Sequence, residues 1–154
     1  MRQRLDILTL GVPDVAAARR FYVEGLGWEP TLDLPGEIVF LQVGHGLLLG
    51  LWDAGKLEAD AGDPDRPASP APPPGPLTLS HNVGSEAEVA ATLERARAAG
   101  ARILKPVQPA PFGGVYGFFA DPAGFRWEVA WNPGWRVEPD GRARLDANKG
   151  DEGR

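Results

Sequence analysis

Few residues in this chain could do chemistry. Its 154 residues include no cysteine and two histidines. The lack of cysteine removes disulfides, thiolate nucleophiles and cysteine-ligated metals together. Arg126 and Glu128 stand two residues apart within the apolar run Phe125 to Trp131, so a strand there would set both on one face. A carboxylate in apolar surroundings can act as a general base on a carbon acid. Paired with Arg126 it can equally be a satisfied structural group, and nothing else in the sequence supplies an electrophile for an enediolate. Both readings stand at this point.

The two histidines do not combine into a site. His45 lies in a Gly44-His45-Gly46 turn and reads as solvated. His81 follows Thr78 by three residues, which puts it on the opposite face of a strand, with Leu79 and Val83. It reads as a core or helix-packing histidine. Phe112 and Tyr116 flank Gly113-Gly114, a segment with the freedom to move over a ligand. The same aromatics could serve core packing.

The elements that must position these residues occur twice. Residues 5 to 12 read as a strand. Asp14 offers an N-cap, Val15, Ala18, Tyr22 and Leu26 follow at helical spacing, and Gly27 ends the helix. Trp28 to Leu34 reads as a strand, and Ile38 to Val43 with Leu47 to Trp52 as a hairpin. In the second copy, Pro76 to Val83 is a strand. Ser85 and Glu88 have capping-box spacing, Val89, Leu93 and Ala96 share a helix face, and Gly100 suits the C-terminal cap. Ala101 to Lys105 is a short strand. Val115 to Ala120 and Phe125 to Trp131 form a hairpin turned by Asp121-Pro122-Ala123-Gly124. The pattern is strand–helix–strand–strand–strand, twice.

Between the copies, residues 54–75 read as a Pro-rich linker, with Pro64, Pro67, Pro70 and Pro72-Pro73-Pro74. Proline at this density excludes helix and sheet interior. A small hairpin is expected around Pro139-Asp140-Gly141, and residues 147–154 read as a disordered tail.

A net charge of −5 argues against nucleic acid as a partner, since phosphate binding requires basic surface. No signal peptide or membrane span is readable. Absence of cysteine fits a cytoplasmic location.

Tandem βαβββ modules resemble the vicinal oxygen chelate superfamily, which includes glyoxalase I, bleomycin-resistance proteins, fosfomycin-resistance enzymes and extradiol dioxygenases. The resembling stretches are Leu8-Thr9-Leu10-Gly11-Val12-Pro13-Asp14, Phe21-Tyr22, Leu26-Gly27-Trp28 and Asp121-Pro122-Ala123-Gly124-Phe125-Arg126-Trp127-Glu128-Val129. Phe112-Gly113-Gly114-Val115-Tyr116-Gly117-Phe118-Phe119 is similar to an uncharacterised glyoxalase-like branch. The resemblance implies an α+β fold in which a curved mixed sheet surrounds a central cavity, with helices outside. It implies one such domain over residues 1–133, built of modules 5–53 and 76–133, followed by a C-terminal segment 134–154.

In metal-dependent members the ligands, usually His, Gln or Glu, come from the first and last strands of each module. The resemblance puts Ile7 and Thr78 at the first-strand positions, five residues before Val12 and Val83. Glu128 holds the last-strand position of the second module, and overlaying Trp52 on Trp131 sets Leu49 opposite it. One carboxylate among Ile7, Leu49, Thr78 and Glu128 cannot satisfy a zinc, magnesium or manganese ion, so neither metal nor other cofactor is expected. Alternation adds Thr9, Leu51, Ser80, Asn82, Arg126 and Ala130 to the cavity. With Phe112 and Tyr116 this makes a mostly apolar pocket with a few polar groups, suited to a small molecule.

The function implied is binding of a small apolar or aromatic molecule without metal. The alternative is a lyase or isomerase of the glyoxalase type with Glu128 as general base, or a dioxygenase-like enzyme. A homodimer is expected, because such module pairs expose sheet edges and apolar rims.

Overall fold

A computed structural model describes residues 5–61 and 77–145. The chain divides into two compact units, each with a helix and a four-stranded mixed sheet of the same strand order. The fold is α+β with a tandem βαβββ repeat and peripheral helices, as the duplicated pattern implies.

In the first unit β1 (Ile7–Val12) leads into α1 (Val15–Arg19), which continues as a π-helical turn over Arg20–Gly25. Asp14 caps α1, its carboxylate accepting from the Ala17 N–H at 2.9 Å. Adjacent Phe21 and Tyr22 in the π turn are both buried in the core. Gly27, at φ +76°, lets the chain leave the helix. The strands β2 (Pro30–Leu34), β3 (Ile38–Gly44) and β4 (Leu47–Asp53) follow. The sheet order is β1-β4-β3-β2, with β1 parallel to β4.

Faces follow from register. Leu10 and Val12 on β1, Leu49 and Leu51 on β4, and Val39 and Leu41 on β3 lie together on one side. All six are buried with Val15, Ala18, Phe21 and Tyr22 of the helix. Burial of these side chains, at roughly 1.5–3 kcal/mol each, is the main stabilisation of the unit.

The linker expected over 54–75 begins later than its composition indicated. Residues Ala54–Ala61 form helix α2. Asp53 starts it by accepting from the Lys56 N–H at 2.8 Å. A Cβ placed on Gly11 would meet Leu57 Cδ2 at 3.2 Å, so α2 packs closely on β1, where a larger residue would be crowded. The Pro-rich run 62–75 and the tail 147–154 lie outside the described residues.

The second unit repeats the plan with β5 (Thr78–Asn82), α3 (Glu86–Ala98), β6 (Arg102–Pro109), β7 (Val115–Ala120) and β8 (Arg126–Trp131). The order is β5-β8-β7-β6, with β5 parallel to β8. Ser85 caps the helix, its Oγ accepting from the Glu88 N–H, while Glu88 Oε2 reaches past the cap residue to accept from the Gly84 N–H. Val89, Leu93 and Ala96 are buried against the sheet side that carries Trp127, Val129 and Phe119. A short hairpin of β9 (Trp135–Val137) and β10 (Ala143–Leu145) closes the described chain, with Gly141 in its turn at φ +82°.

Candidate functional site

In the second unit, the sheet face away from α3 carries most of the polar chemistry. Register sets Thr78, Ser80 and Asn82 on β5 beside Arg126, Glu128 and Ala130 on β8. On β7 the same face takes Tyr116 and Phe118, opposite Ala130 and Glu128. Lys105 and Gln108 of β6 pair with Phe118 and Tyr116. Six of the expected positions (Thr78, Ser80, Asn82, Arg126, Glu128 and Ala130) therefore share one surface, and Tyr116 joins them.

Two hydrogen-bonded groups organise this surface. Ser80 Oγ donates to Glu128 Oε2 at 2.9 Å, which fixes the carboxylate. On the other side of Phe118, Tyr116 Oη accepts from Lys105 Nζ and from Gln108 Nε2, each at 3.1 Å. The Lys105 ammonium lies 4.7 Å from the Tyr116 ring centroid and 5.3 Å from that of Phe118, a favourable cation–π placement. Tyr116 meets Phe112 and Phe118 edge to face, at 6.1 and 5.7 Å between centroids. The hydrogen bonds from Lys105 and then Gln108 pull the Tyr116 phenol below its usual pKa. Partial desolvation and the Glu128 charge oppose that shift.

Lys105 and Gln108 were not legible as site residues. Strand alternation would separate positions 105 and 108, but register shifts between 103 and 105 and between 105 and 108 bring both to the Tyr116 face. Phe118, two residues from Tyr116 on one strand, carried the available signal.

The Gly113-Gly114 pair lies in a hydrogen-bonded turn. Ala110 N–H donates to Gly114 O at 2.8 Å and Gly113 N–H to Ala110 O at 3.1 Å, closing a turn. A Cβ on Gly114 would fall 1.9 Å from the Trp131 carbonyl oxygen. Close backbone approach explains this glycine.

His81 lies on the face opposite Glu128, as alternation requires, beside Val129. It is exposed on edge strand β5 rather than packed in the core. His45 is exposed in its turn.

In the first unit Ile7 and Thr9 share the face away from α1, with Leu48, Gly50, Trp52 and Phe40. Leu49 does not. It is 2 % exposed and lies on the helix-packed side with Leu51, so neither belongs on that face. Counting along the paired strands, Thr9 faces Gly50 and Phe40 faces Gly50, as Ser80 and Phe118 face Glu128. Gly50, not Leu49, therefore matches Glu128.

At the paired first- and last-strand positions the first unit thus has Ile7 and Gly50, and the second has Thr78 and Glu128. One carboxylate, one hydroxyl and two groups without donors do not fit a divalent ion. Among the described residues no cluster of three or more His, Cys, Asp or Glu side chains could hold a metal ion. A separate groove of about 540 Å³ lies between α3 and β6, lined by Ala90, Leu93, Ile103 and Pro106 among others. It is on the helix side of the sheet and includes none of the groups above.

Residues 4–129 match the model of the Glyoxalase/Bleomycin resistance protein/Dioxygenase superfamily. Among solved structures, a glyoxalase-related enzyme from Fulvimarina pelagi is 40% identical, over 95% of this chain and 100% of that chain, with a TM-score of 0.82. A glyoxalase/bleomycin resistance protein/dioxygenase from Nocardioides is 27% identical over 87% of each chain, with a TM-score of 0.67. A lactoylglutathione lyase from Agrobacterium tumefaciens is 27% identical over 84% of this chain and 94% of that one, with a TM-score of 0.62. No curated protein matches. Among the described residues no helix is long and apolar enough to cross a membrane.

Proposed function

Because the chain belongs to the glyoxalase/bleomycin resistance protein/dioxygenase superfamily, we propose that it binds a small apolar or aromatic molecule against the Glu128 face of its second sheet, without a metal ion. The observation that carries this reading is the partly exposed aromatic group Phe112, Tyr116 and Phe118, set beside the hydrogen-bonded Ser80–Glu128 pair. Aromatic walls with a few fixed polar groups are the usual makeup of small-molecule sites. Calorimetric titration with a panel of aromatic compounds, before and after treatment with a chelator, tests it. The expected result is a ligand whose affinity survives chelation; loss of binding on chelation would overturn the metal-free reading.

A second reading is a lyase or isomerase with Glu128 as general base. Its support is the fixed carboxylate, 2.9 Å from Ser80 Oγ, together with the likeness to a lactoylglutathione lyase. A lactoylglutathione lyase assay on the purified protein tests it directly.

The absence of cysteine supports a cytoplasmic location. The edge strands of the two sheets, β1 and β2, β5 and β6, support a homodimer, since association is one way that sheet edges are covered. Light scattering at micromolar concentration should give twice the chain mass of 16.5 kDa; a monomer would overturn the dimer.

A further inference from the structure

We propose that the Lys105–Tyr116–Gln108 group is an oxyanion-binding site, and that the molecule held on this face is a small aromatic acid bound as its anion. The inference rests on the ligand-binding reading above and adds the ligand's charge and the atoms that meet it.

The phenol oxygen has two lone pairs and one proton. Lys105 Nζ and Gln108 Nε2 both donate to Tyr116 Oη, which occupies both lone pairs. The hydroxyl is left as a donor, and among the described residues no acceptor takes its proton. A neighbouring ammonium polarises it, so it is a stronger donor than an ordinary tyrosine.

Lys105 itself calls for an anion. It gives Tyr116 one of its three N–H groups, and among the described residues no carboxylate lies within ion-pair distance of it. An acceptor with negative charge can take the Tyr116 hydroxyl and a Lys105 N–H together, and such charge-assisted bonds are the stronger kind.

The walls define the rest of the ligand. Phe112 and Phe118 flank Tyr116 edge to face, and a flat ring attached to the anionic group would find aromatic partners on either side. Ser80 holds the Glu128 carboxylate, and its charge disfavours a second anionic group on the same molecule. A monoanion is favoured over a dianion.

Two fluorescent probes with the same rings separate the ideas. One is 1-anilinonaphthalene-8-sulfonate, and the other is N-phenyl-1-naphthylamine, which lacks the sulfonate. The full chain should bind the sulfonate more tightly. Tyr116→Phe and Lys105→Met should each weaken sulfonate binding about tenfold or more, a much larger loss than either causes for the neutral probe. In the unaltered protein, benzoate should displace the sulfonate probe and benzamide should not, a result that does not depend on either variant folding. Equal binding of the two probes, no effect of either substitution, or equal displacement by benzoate and benzamide would overturn the anion site and leave the aromatic-ligand reading intact. Failure of both probes to bind would overturn the two together.

Discussion

The ring of Phe40 stands where a side chain at position 50 would have to go. A Cβ on Gly50 would lie 2.9 Å from Phe40 Cε1 and 3.1 Å from Thr9 Oγ1. The first unit thus not only lacks a ligand at the position matching Glu128; an aromatic ring fills the space that one would need.

Gly50→Ala should therefore destabilise the protein by about 1–3 kcal/mol, the usual cost of overpacking. Combining it with Phe40→Ala should recover part of that loss, because the two residues compete for one volume. Chemical denaturation of both single variants and the double variant measures the coupling. Additive effects would mean that the ring moves aside freely.

The purified protein should hold well below one divalent ion per chain. Among the described residues no cluster of three or more His, Cys, Asp or Glu side chains could hold one, and the lone Glu128 carboxylate is too weak a donor set. Elemental analysis that found one zinc, nickel, manganese or iron per chain, lost on Glu128→Ala, would contradict this.

Glu128→Gln preserves shape, and Ser80 Oγ can still donate to the amide oxygen. The melting temperature should shift by an amount worth ~1 kcal/mol or less. If Glu128 acts as a base, turnover in the lyase assay should fall by about 10²–10⁴ while ligand affinity is retained. If the protein only binds, no assay will show turnover to lose. Unfolding of the variant would identify Glu128 as a structural carboxylate.

Tyr116 should ionise below the usual phenol value of about 10, since Lys105 and Gln108 hydrogen bonds favour the phenolate. Of the two tyrosines in the chain, Tyr22 is fully buried, so the first step in tyrosinate absorbance on raising pH reports Tyr116. Lys105→Met should move that step upward. The sign for stability follows: with the folded value depressed, this group's contribution is absent at neutral pH, grows as pH rises through the folded value, and is complete above the unfolded value. A first step unchanged in Lys105→Met would show that the lysine does not act on the phenol.

The repeat, the helix starts at Asp14 and Ser85 and the chain reversals at Gly27 and Gly100 were legible because caps and turns are local chemistry. Register was not. Trp52 and Trp131 look equivalent, but Trp52 pairs with Ile38 and Trp131 with Val115, whereas Ile38 corresponds to Tyr116, whose partner is Ala130. The overlay is one residue out, and in a strand one residue turns a side chain to the other face. That slip put Leu49 where Gly50 belongs. Helix α2 was hidden by the prolines that follow it, although Asp53 before Ala54 carried a capping signal. The Lys105–Tyr116–Gln108 group was hidden by the shifts in β6, which follow from how β6 meets β7 and not from its own residues.

In each unit the first strand lies against the last, in parallel, with the other strands added beyond. Ser80 and Glu128 are 48 residues apart in sequence, whereas β7 and β8 are joined by a short turn. Closing a long loop costs entropy that a hairpin does not. The β7–β8 hairpin can therefore pair early, while the docking of β5 along β8 waits for the longest closure in its sheet. A nascent chain that has emerged as far as Ala120 already carries Lys105, Gln108 and Tyr116, but Ser80 has no carboxylate to hold. The residues of the aromatic and basic half are thus synthesised before Glu128, and only the arrival of the final strand of the repeat can complete the surface.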